Sequence, residues 1–229
     1  MLPILLSAGA PVAFPDPRLA DTEGLVAVGG DLSAERLLHA YDHGIFPWYD
    51  ESLPQLWWSP DPRAVLRPEQ LHVSRSLERQ LKAHAFRLTW DMEFAGVIRA
   101  CAENRSDGTW LTPEMIAAYE ELHRLGHVHS LEVWSGGELV GGIYGVHRRG
   151  LFAAESMFHR CTGASKIALV ALVRSLAKRG VELIDVQILT QHLQSMGAAS
   201  IPREDYLSRV KELSRKAVSL QDLKPLVEG

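Results

Sequence analysis

SLEVWSGGELVGGIYGVHRRGLFAAESMF, residues 130–158, is the stretch of sequence that decides the fold. It contains three runs rich in β-branched and aromatic residues, separated by two turns. The runs are Ser130–Trp134, Leu139–Val146 and Leu151–Phe158, and the turns are Gly136-Gly137 and Arg149-Gly150. Short runs joined by glycine turns are typical of β-hairpins. The stretch therefore predicts three consecutive antiparallel strands.

A helix and a further strand follow the hairpins. The segment from Ser165 to Lys178 carries an apolar stripe at helical spacing, and Gly180 ends it. Val181–Gln187 reads as a strand, and a last helix is predicted from Arg203 to about Lys216. Caps of four other helices are predicted at Ser33, Ser74, Asp91 and Thr112. Strands followed by a helix–strand–helix return imply an α+β, mixed-sheet fold.

The first 62 residues differ in composition from the rest of the chain. They are rich in Pro, Gly and Trp and contain few long periodic runs. Two aromatic segments, Phe46–Tyr49 and Trp57–Pro60, are predicted to be loops. Because a proline biases its neighbour toward extended geometry, we place a boundary at Asp61-Pro62. The expected domains are a small α/β domain over residues 1–62 and a larger mixed-sheet domain over residues 63–229.

The overall composition fits a globular protein and excludes several functional classes. Of the 229 residues, 46% are hydrophobic and 23% are charged, which is the balance of a chain with a packed core. The formal net charge of −4 argues against a general nucleic-acid coat protein, so any polyanion must bind a local basic patch. No run approaches the roughly 20 apolar residues that a membrane-spanning helix needs.

The cysteines and histidines give no sign of a disulfide or a metal site. Cys101 and Cys161 lie far apart in apolar surroundings, which favours reduced thiols in the cytoplasm. The histidines at 127, 129, 147 and 159 form no HExxH pattern and no CxxC pair accompanies them, so no metal is predicted. The chain also lacks a P-loop and a GxSxG elbow, which excludes nucleotide hydrolysis and the usual serine hydrolases. A monomer is the default expectation.

Three polar residues interrupt the apolar strands near the C-terminal half of the sheet. Strand alternation places Asp185 and Gln187 on one face of an otherwise apolar strand. Buried polar side chains need partners or a ligand, so the pair is either a satisfied structural pair or part of a site. Glu155, on a neighbouring predicted strand, is a candidate third member, with Met157 and Ile143 as candidate pocket walls.

Aromatic loops and a basic helix are the remaining candidates for binding. Four of the tryptophans, Trp48, Trp57, Trp58 and Trp110, are predicted to lie in loops, where they either form a small core or offer flat faces to a ligand. The basic residues Arg75, Arg79 and Lys82 recur at helical spacing. They form either a solvated helix face or a contact for a tRNA acceptor stem.

A resemblance to a known family extends over residues 14 to 210. It is carried by these segments: Phe14-Pro15, Gly24–Leu32, Gly44–Trp48, Leu56–Arg63, Leu71–Ser76, Gly108–Trp110, His129–Trp134, Leu139–Gly142, Gly145-Val146, Glu155–Phe158, Ala164–Lys166, Leu183–Gln187 and Ser195–Ala198. In this order, they resemble the bacterial leucyl/phenylalanyl-tRNA–protein transferase family. The resemblance implies a small N-terminal domain and a C-terminal domain with an acetyltransferase-like (GNAT) fold. It also implies that the turn at Arg160–Ala164 is left over from a fold that binds coenzyme A.

The reaction implied by the resemblance needs neither a cofactor nor ATP, since aminoacyl-tRNA is already an activated ester. The enzyme would move Leu or Phe, and less well Met, to the α-amine of proteins that begin with Arg or Lys, which marks them for N-end-rule degradation. Asp185 would orient Gln187, and this catalytic pair would guide the proton of the amine. Glu155 would bind a cationic group of a substrate. The implied side-chain pocket consists of Trp48, Trp110, Ile143, Met157 and Ile184.

Two other functions share features of this sequence. An N-acyltransferase that uses acyl-CoA would have the same fold, and dependence on CoA separates it from the tRNA-dependent enzyme. A module that only binds tRNA or basic N-termini would show no turnover. The polar set of Glu155, Asp185 and Gln187 argues against the second of these, because a pure binding module needs no such centre.

Overall fold

The structure of the chain is a computed structural model that describes residues 4–7, 9, 11–83, 86–103 and 111–226. Within these ranges the chain forms two mixed β-sheets with seven α-helices around them. Most neighbouring strands pair antiparallel, and the helices pack around these mixed sheets, which confirms the predicted α+β class.

The first sheet has four strands in the order β1-β2-β4-β3. They are β1 (Ile4–Leu6), β2 (Leu25–Gly29), β3 (Phe46–Pro47) and β4 (Leu56–Trp58), with helix α1 (Ala34–Asp42) between β2 and β3. The prediction that both aromatic segments are loops is therefore wrong. Phe46 pairs with Trp58 and Pro47 with Trp57, so each segment contributes a short strand.

The second sheet has seven strands in the order β11-β5-β10-β9-β8-β7-β6. They are β5 (Arg63–Leu66), β6 (Arg87–Trp90), β7 (Val128–Ser135), β8 (Glu138–Arg148), β9 (Leu151–His159), β10 (Leu183–Gln187) and β11 (Ala199–Ile201). The three predicted hairpin strands are β7, β8 and β9. Within this sheet β9 and β10 are the parallel pair, because a helix connects them and returns the chain in the same direction.

The remaining helices surround the second sheet. They are α2 (Arg75–Lys82), α3 (Phe94–Glu103), α4 (Pro113–Arg124), α5 (Ala164–Lys178), α6 (Gln191–Ser195) and α7 (Arg203–Leu213). The predicted caps at Ser33, Ser74 and Thr112 are confirmed, since each side chain accepts a hydrogen bond from the first turn of its helix. The predicted cap at Asp91 is wrong, because α3 begins only at Phe94. Asp91 instead accepts a hydrogen bond from the backbone N–H of Ser130.

The two faces of the second sheet bury separate apolar cores. One core lies under α5 and includes Ile143 and Ile184. The other core continues into the first sheet, because Trp57 and Val65 belong to the same cluster of buried side chains. The first sheet ends at Trp58 and the second begins at Arg63, so the predicted domain boundary falls between them while one core crosses it.

A β-bulge at Glu155 interrupts the regular pairing of β8 with β9. Tyr144 pairs with Ser156 and Gly145 pairs with Ala154, so Glu155 has no partner on β8. A β-bulge re-aims the side chain at which it occurs. The direction of the Glu155 side chain therefore does not follow the regular alternation of side chains along β9.

We expect Gly145→Ala to destabilise the protein. A Cβ atom at this position would lie 2.1 Å from the carbonyl oxygen of Ala153 and 2.5 Å from a ring carbon of Phe152. Since the backbone oxygen has no room to move, the free energy of unfolding should fall by about 1–3 kcal/mol, the usual cost of overpacking. Urea unfolding followed by tryptophan fluorescence measures this, and an unchanged midpoint would show that the bulge adapts freely.

Candidate active site

A cavity opens where strands β9 and β10 separate. The two strands pair from Leu183 with Leu151 to Asp185 with Ala153, and no pairing follows. The cavity beyond this point has a volume of about 340 Å³. Its lining includes Trp48, Glu155, Val186, Gln187, Ile188 and Thr190. Residues from both sheets thus meet around one opening.

Gln187 and Glu155 are joined by a hydrogen bond on the wall of this cavity. The side-chain amide of Gln187 donates from Nε2 to Glu155 Oε1 over 2.8 Å. Gln187 adopts a left-handed conformation with φ of 57°, and the pairing of β10 with β5 shifts register between Asp185 and Gln187. The structure therefore replaces the predicted regular alternation with a bulge, and Gln187 lines the cavity whereas Asp185 does not.

Asp185 lies behind the cavity in a fully occupied polar network. Its carboxylate accepts two hydrogen bonds from Arg63, at 2.8 Å from Nε and 2.6 Å from Nη2. It also accepts from the hydroxyl of Tyr206 at 2.8 Å and from the backbone N–H of Gln187 at 3.0 Å. Both Arg63 and Asp185 have side chains that are only 1% exposed. Asp185 is thus a paired anion that fixes the backbone at Gln187.

Glu155 is the cavity carboxyl with the most perturbed protonation equilibrium. Burial raises its pKa from the ordinary 4.5 to about 8, and the charge of Asp185 adds to the rise. Hydrogen bonds from tyrosine hydroxyls oppose this rise in pKa. The hydroxyl of Tyr119 donates to Glu155 Oε2 at 3.2 Å and lies 2.5 Å from the hydroxyl of Tyr41.

Sequence reasoning missed four residues of these two networks. They are Tyr41, Arg63, Tyr119 and Tyr206. Each lies in an ordinary helix or strand pattern, and no local motif marks it. The one available signal is physical: buried carboxylates such as Asp185 need charged or hydroxyl partners.

Trp48 flanks the cavity with its ring half exposed. The side chain is 43% accessible, although its neighbours Phe46 and Tyr49 are buried. The indole N–H of Trp58 donates to the backbone carbonyl of Trp48 at 2.7 Å, which holds the segment in place. Trp110, the other predicted pocket tryptophan, lies outside the described residues.

The three apolar residues predicted to form the pocket lie together beneath the cavity. Ile143 pairs with Met157 across β8 and β9, and both pack in the same core as Ile184. Ile143 and Ile184 are completely buried, and Met157 is partly buried. None of the three is among the residues that line the opening, but Val186 belongs both to this core and to the cavity wall.

The basic residues predicted to bind tRNA share the exposed face of α2. Arg75, Arg79 and Lys82 are exposed, whereas Leu77 and Leu81 on the opposite face are buried. Glu78 interrupts the basic face, but it is engaged by Arg174 at 2.9 Å and by Lys82 at 3.9 Å. The face therefore keeps a positive balance.

Comparison with known proteins places this chain in a family. A family model described as "Leucyl/phenylalanyl-tRNA protein transferase" matches residues 65–211, and the model of its N-terminal domain matches residues 30–61. A leucyl/phenylalanyl-tRNA–protein transferase of Syntrophobacter fumaroxidans is 57% identical over 87% of this chain and 86% of its own length. The enzyme of that name in Shigella sonnei is 51% identical over 88% of this chain and 87% of its own length.

Two solved structures show a more distant likeness. The chain is similar to a GCN5-related N-acetyltransferase-like protein of Streptococcus suis, with a TM-score of 0.39, 11% identity and coverage of 69% of this chain and 59% of that one. It is also similar to the C-terminal domain of a putative lysylphosphatidylglycerol synthetase of Agrobacterium fabrum, with a TM-score of 0.42, 10% identity and coverage of 83% and 60%.

The matched family and the polar cavity together define a transferase of aminoacyl groups. The chain belongs to the leucyl/phenylalanyl-tRNA–protein transferase family. It is an aminoacyltransferase whose substrates are aminoacyl-tRNA and protein. None of the helices in the described ranges has the length and apolar character that a bilayer crossing requires.

The raised pKa of Glu155 predicts a particular dependence of stability on pH. Between about pH 4.5 and 8 the native protein keeps the proton of Glu155 while the unfolded chain has lost it, so stability falls as pH rises. In Glu155→Gln this contribution is absent, because the amide does not titrate. The difference in unfolding free energy between the two proteins should therefore change by up to about 1.4 kcal/mol per pH unit.

Urea unfolding of both proteins at pH 5, 6.5 and 8 measures this difference. The wild type should lose stability relative to Glu155→Gln as pH increases. Glu138→Gln is the control, since Glu138 lies exposed at the start of β8. A wild type that gains stability relative to Glu155→Gln with pH would mean that Glu155 is ionised in the native protein at all these pH values.

Proposed function

We propose that this enzyme moves Leu or Phe, and less well Met, from aminoacyl-tRNA to the α-amine of proteins that begin with Arg or Lys. The product would be marked for N-end-rule degradation, and the reaction would take place in the cytoplasm with a monomeric enzyme. The observation that carries this proposal is the Gln187–Glu155 hydrogen bond beside Trp48, on the wall of one cavity. An amide and a carboxyl of adjustable charge are the groups that an incoming ammonium requires.

In the proposed mechanism the ionised form of Glu155, whose fraction grows as the pH approaches the pKa of about 8, receives the first proton of the acceptor amine. A free α-amine has a pKa of about 7.7–8.0, which matches the pKa of about 8 of Glu155. A base is most effective when its pKa lies near that of the acid and the working pH. Gln187 cannot titrate, so it positions the amine and Glu155 through its hydrogen bond. Asp185 acts as a positioning residue that fixes the backbone of Gln187.

The neutral amine then attacks the ester carbonyl carbon of the donor. A C–N bond forms, and the bond between that carbon and the ribose oxygen of the tRNA breaks. Of the three protons on the original ammonium, one goes to Glu155, one to the leaving ribose oxygen, and one stays on the new amide. Holding both substrates in one cavity supplies much of the acceleration, since well-oriented groups avoid several kcal/mol of entropic cost.

Selection of the donor would depend on the apolar core beneath the cavity. The side chain of the donor would pass between the separated strands toward Met157, Ile143 and Ile184, because Val186 connects this core with the opening. Trp48 and Trp110 would flank the aminoacyl group. Pockets of this kind discriminate by roughly 1–3 kcal/mol. The exposed face of α2, with Arg75, Arg79 and Lys82, would contact the tRNA.

We expect Glu155→Gln to lower kcat about 100-fold or more, the usual contribution of a general base, with little change in the KM for Leu-tRNA. The assay mixes radiolabelled Leu-tRNA with a peptide that begins with Arg and measures label in the peptide. Glu138→Gln is the matched control and should retain wild-type turnover. Wild-type kcat in Glu155→Gln would exclude Glu155 as the proton acceptor, and transfer only from an acyl-CoA donor would exclude the proposed reaction.

We expect Trp48→Ala to raise the KM for Leu-tRNA about tenfold, because removing an aromatic contact to the donor costs roughly 1–3 kcal/mol. Its ring is exposed at the cavity, so the fold should not change. Trp134→Ala is a control on β7, away from the cavity, where the ring lies under Arg87. An unchanged KM in Trp48→Ala would remove this residue from the donor site.

A further inference from the structure

Three basic side chains, one lysine and two histidines, meet on the surface next to the cavity, and no step of the proposed mechanism uses them. They are His159 at the end of β9, Lys166 in the first turn of α5, and His192 in α6. The charges of Lys166 and His159 both act on His192, where they add to the effect of burial in lowering its pKa. The backbone geometry brings the same three elements together. Gly141, the partner of His159 on β8, lies so close to α5 that a Cβ atom there would be 2.7 Å from the Cβ of Ala164, and Ile167 of α5 packs in one core with Leu193 of α6.

This cluster adjoins the cavity wall directly. Thr190 lines the cavity and also caps α6, where its hydroxyl oxygen accepts a hydrogen bond from the backbone N–H of Leu193 at 3.2 Å. His192 is two residues further along the chain. Leu193 and Ile167 pack in the same apolar core, which holds α6 against α5. The positions of α5 and α6 relative to each other are thus fixed by packing.

Two members of the cluster, Lys166 and His192, have groups that are able to bind an anion. Lys166 is exposed, and in the described ranges the lysines that reach a carboxylate are Lys82 and Lys216. The Nε2 atom of His192 is buried and has no hydrogen-bond partner among the described residues. A buried nitrogen without a partner costs free energy unless a ligand or water satisfies it.

The cluster also continues toward the basic face of α2. Gly163, just before α5, lies so close to α2 that a Cβ atom there would be 2.8 Å from Oε1 of Gln80. Gln80 is next to Arg79 in sequence, and both are exposed. A track of basic side chains therefore runs from Lys166 at the start of α5 to Arg79 on α2. A track of this kind matches the regularly spaced phosphates of a nucleic-acid strand.

We propose that Lys166, His159 and His192 bind the phosphodiester group nearest the 3′ end of the donor tRNA. This inference rests on the proposed function, which places the aminoacyl ester in the adjoining cavity. The ester is carried by the terminal ribose, and the first phosphodiester of the strand follows on the same nucleotide. The acceptor is excluded as the occupant, because its cationic first residue would be repelled by this cluster.

The test compares two donors that differ in phosphate. One is Leu-tRNA, and the other is a leucyl ester of adenosine, which carries no phosphate. Lys166→Ala should raise the KM for Leu-tRNA about tenfold, equivalent to one charge-assisted hydrogen bond. It should leave the KM for leucyl-adenosine within about twofold, because no phosphate contact is lost. The slope of log KM against log salt for Leu-tRNA should fall by about 0.7 for one phosphate on a single strand.

Lys178→Ala is the matched control, since Lys178 is an exposed lysine at the other end of α5. It should change neither donor. Lys166→Arg should restore most of the affinity for Leu-tRNA, because arginine keeps the charge and binds phosphate. His192→Ala should show the same selective loss as Lys166→Ala.

Three outcomes would overturn the inference. An equal effect of Lys166→Ala on both donors would show that the residue acts on the cavity and not on a phosphate. An unchanged KM for both donors would show that it has no role in binding, and a raised KM for the acceptor alone would assign the cluster to the acceptor protein. Failure of the proposed function would look different, since the wild-type enzyme would then transfer leucine from neither donor to a peptide that begins with Arg.

Discussion

The structure of this site depends on the buried ion pair between Arg63 and Asp185. The guanidinium binds both carboxylate oxygens, and its remaining terminal nitrogen donates to the carbonyl of Gly44 at 3.2 Å. Its flat face lies 4.7 Å from the ring of Phe46 and 4.5 Å from that of Tyr206. One side chain therefore holds together β5, β10, α7 and the segment that leads to Trp48. Removing one partner of such a buried pair leaves an uncompensated charge, which costs about 3–5 kcal/mol.

The same ion pair gives the carboxyl groups of Asp185 and Glu155 different surroundings. Asp185 has a cationic partner that compensates its burial, so it serves as a fixed anchor. Glu155 has an amide and tyrosine hydroxyls as its close partners among the described residues, and burial raises its pKa to about 8. Two carboxyls of one network that have such different partners are expected to take separate roles. The group that can change charge near neutral pH is the one that lines the cavity.

The local sequence pattern was sufficient to predict the elements whose structure depends on residues that are close together in the chain. Glycine turns marked β7, β8 and β9, and capping side chains marked α1, α2 and α4. The short strands β3 and β4 were missed, because a two- or three-residue strand is defined by its pairing and not by its own sequence. The partners of Asp185 were missed for the same reason, since Arg63 is 122 positions away in the chain. Hydrophobic periodicity contains no information on such pairs.

The reactive groups stand at the points where strand pairing is irregular. Glu155 occupies the bulge between β8 and β9, and Gln187 follows the register shift between β10 and β5. In a regular sheet, each side chain would either enter a packed core or face solvent by alternation. The two irregularities lie on opposite sides of the gap between β9 and β10. They turn the two side chains toward each other, so that Nε2 of Gln187 lies 2.8 Å from Oε1 of Glu155. The hydrogen bond that carries the proposed chemistry is thus a product of two local departures from ideal β-structure, and the Arg63–Asp185 pair holds one of them in place.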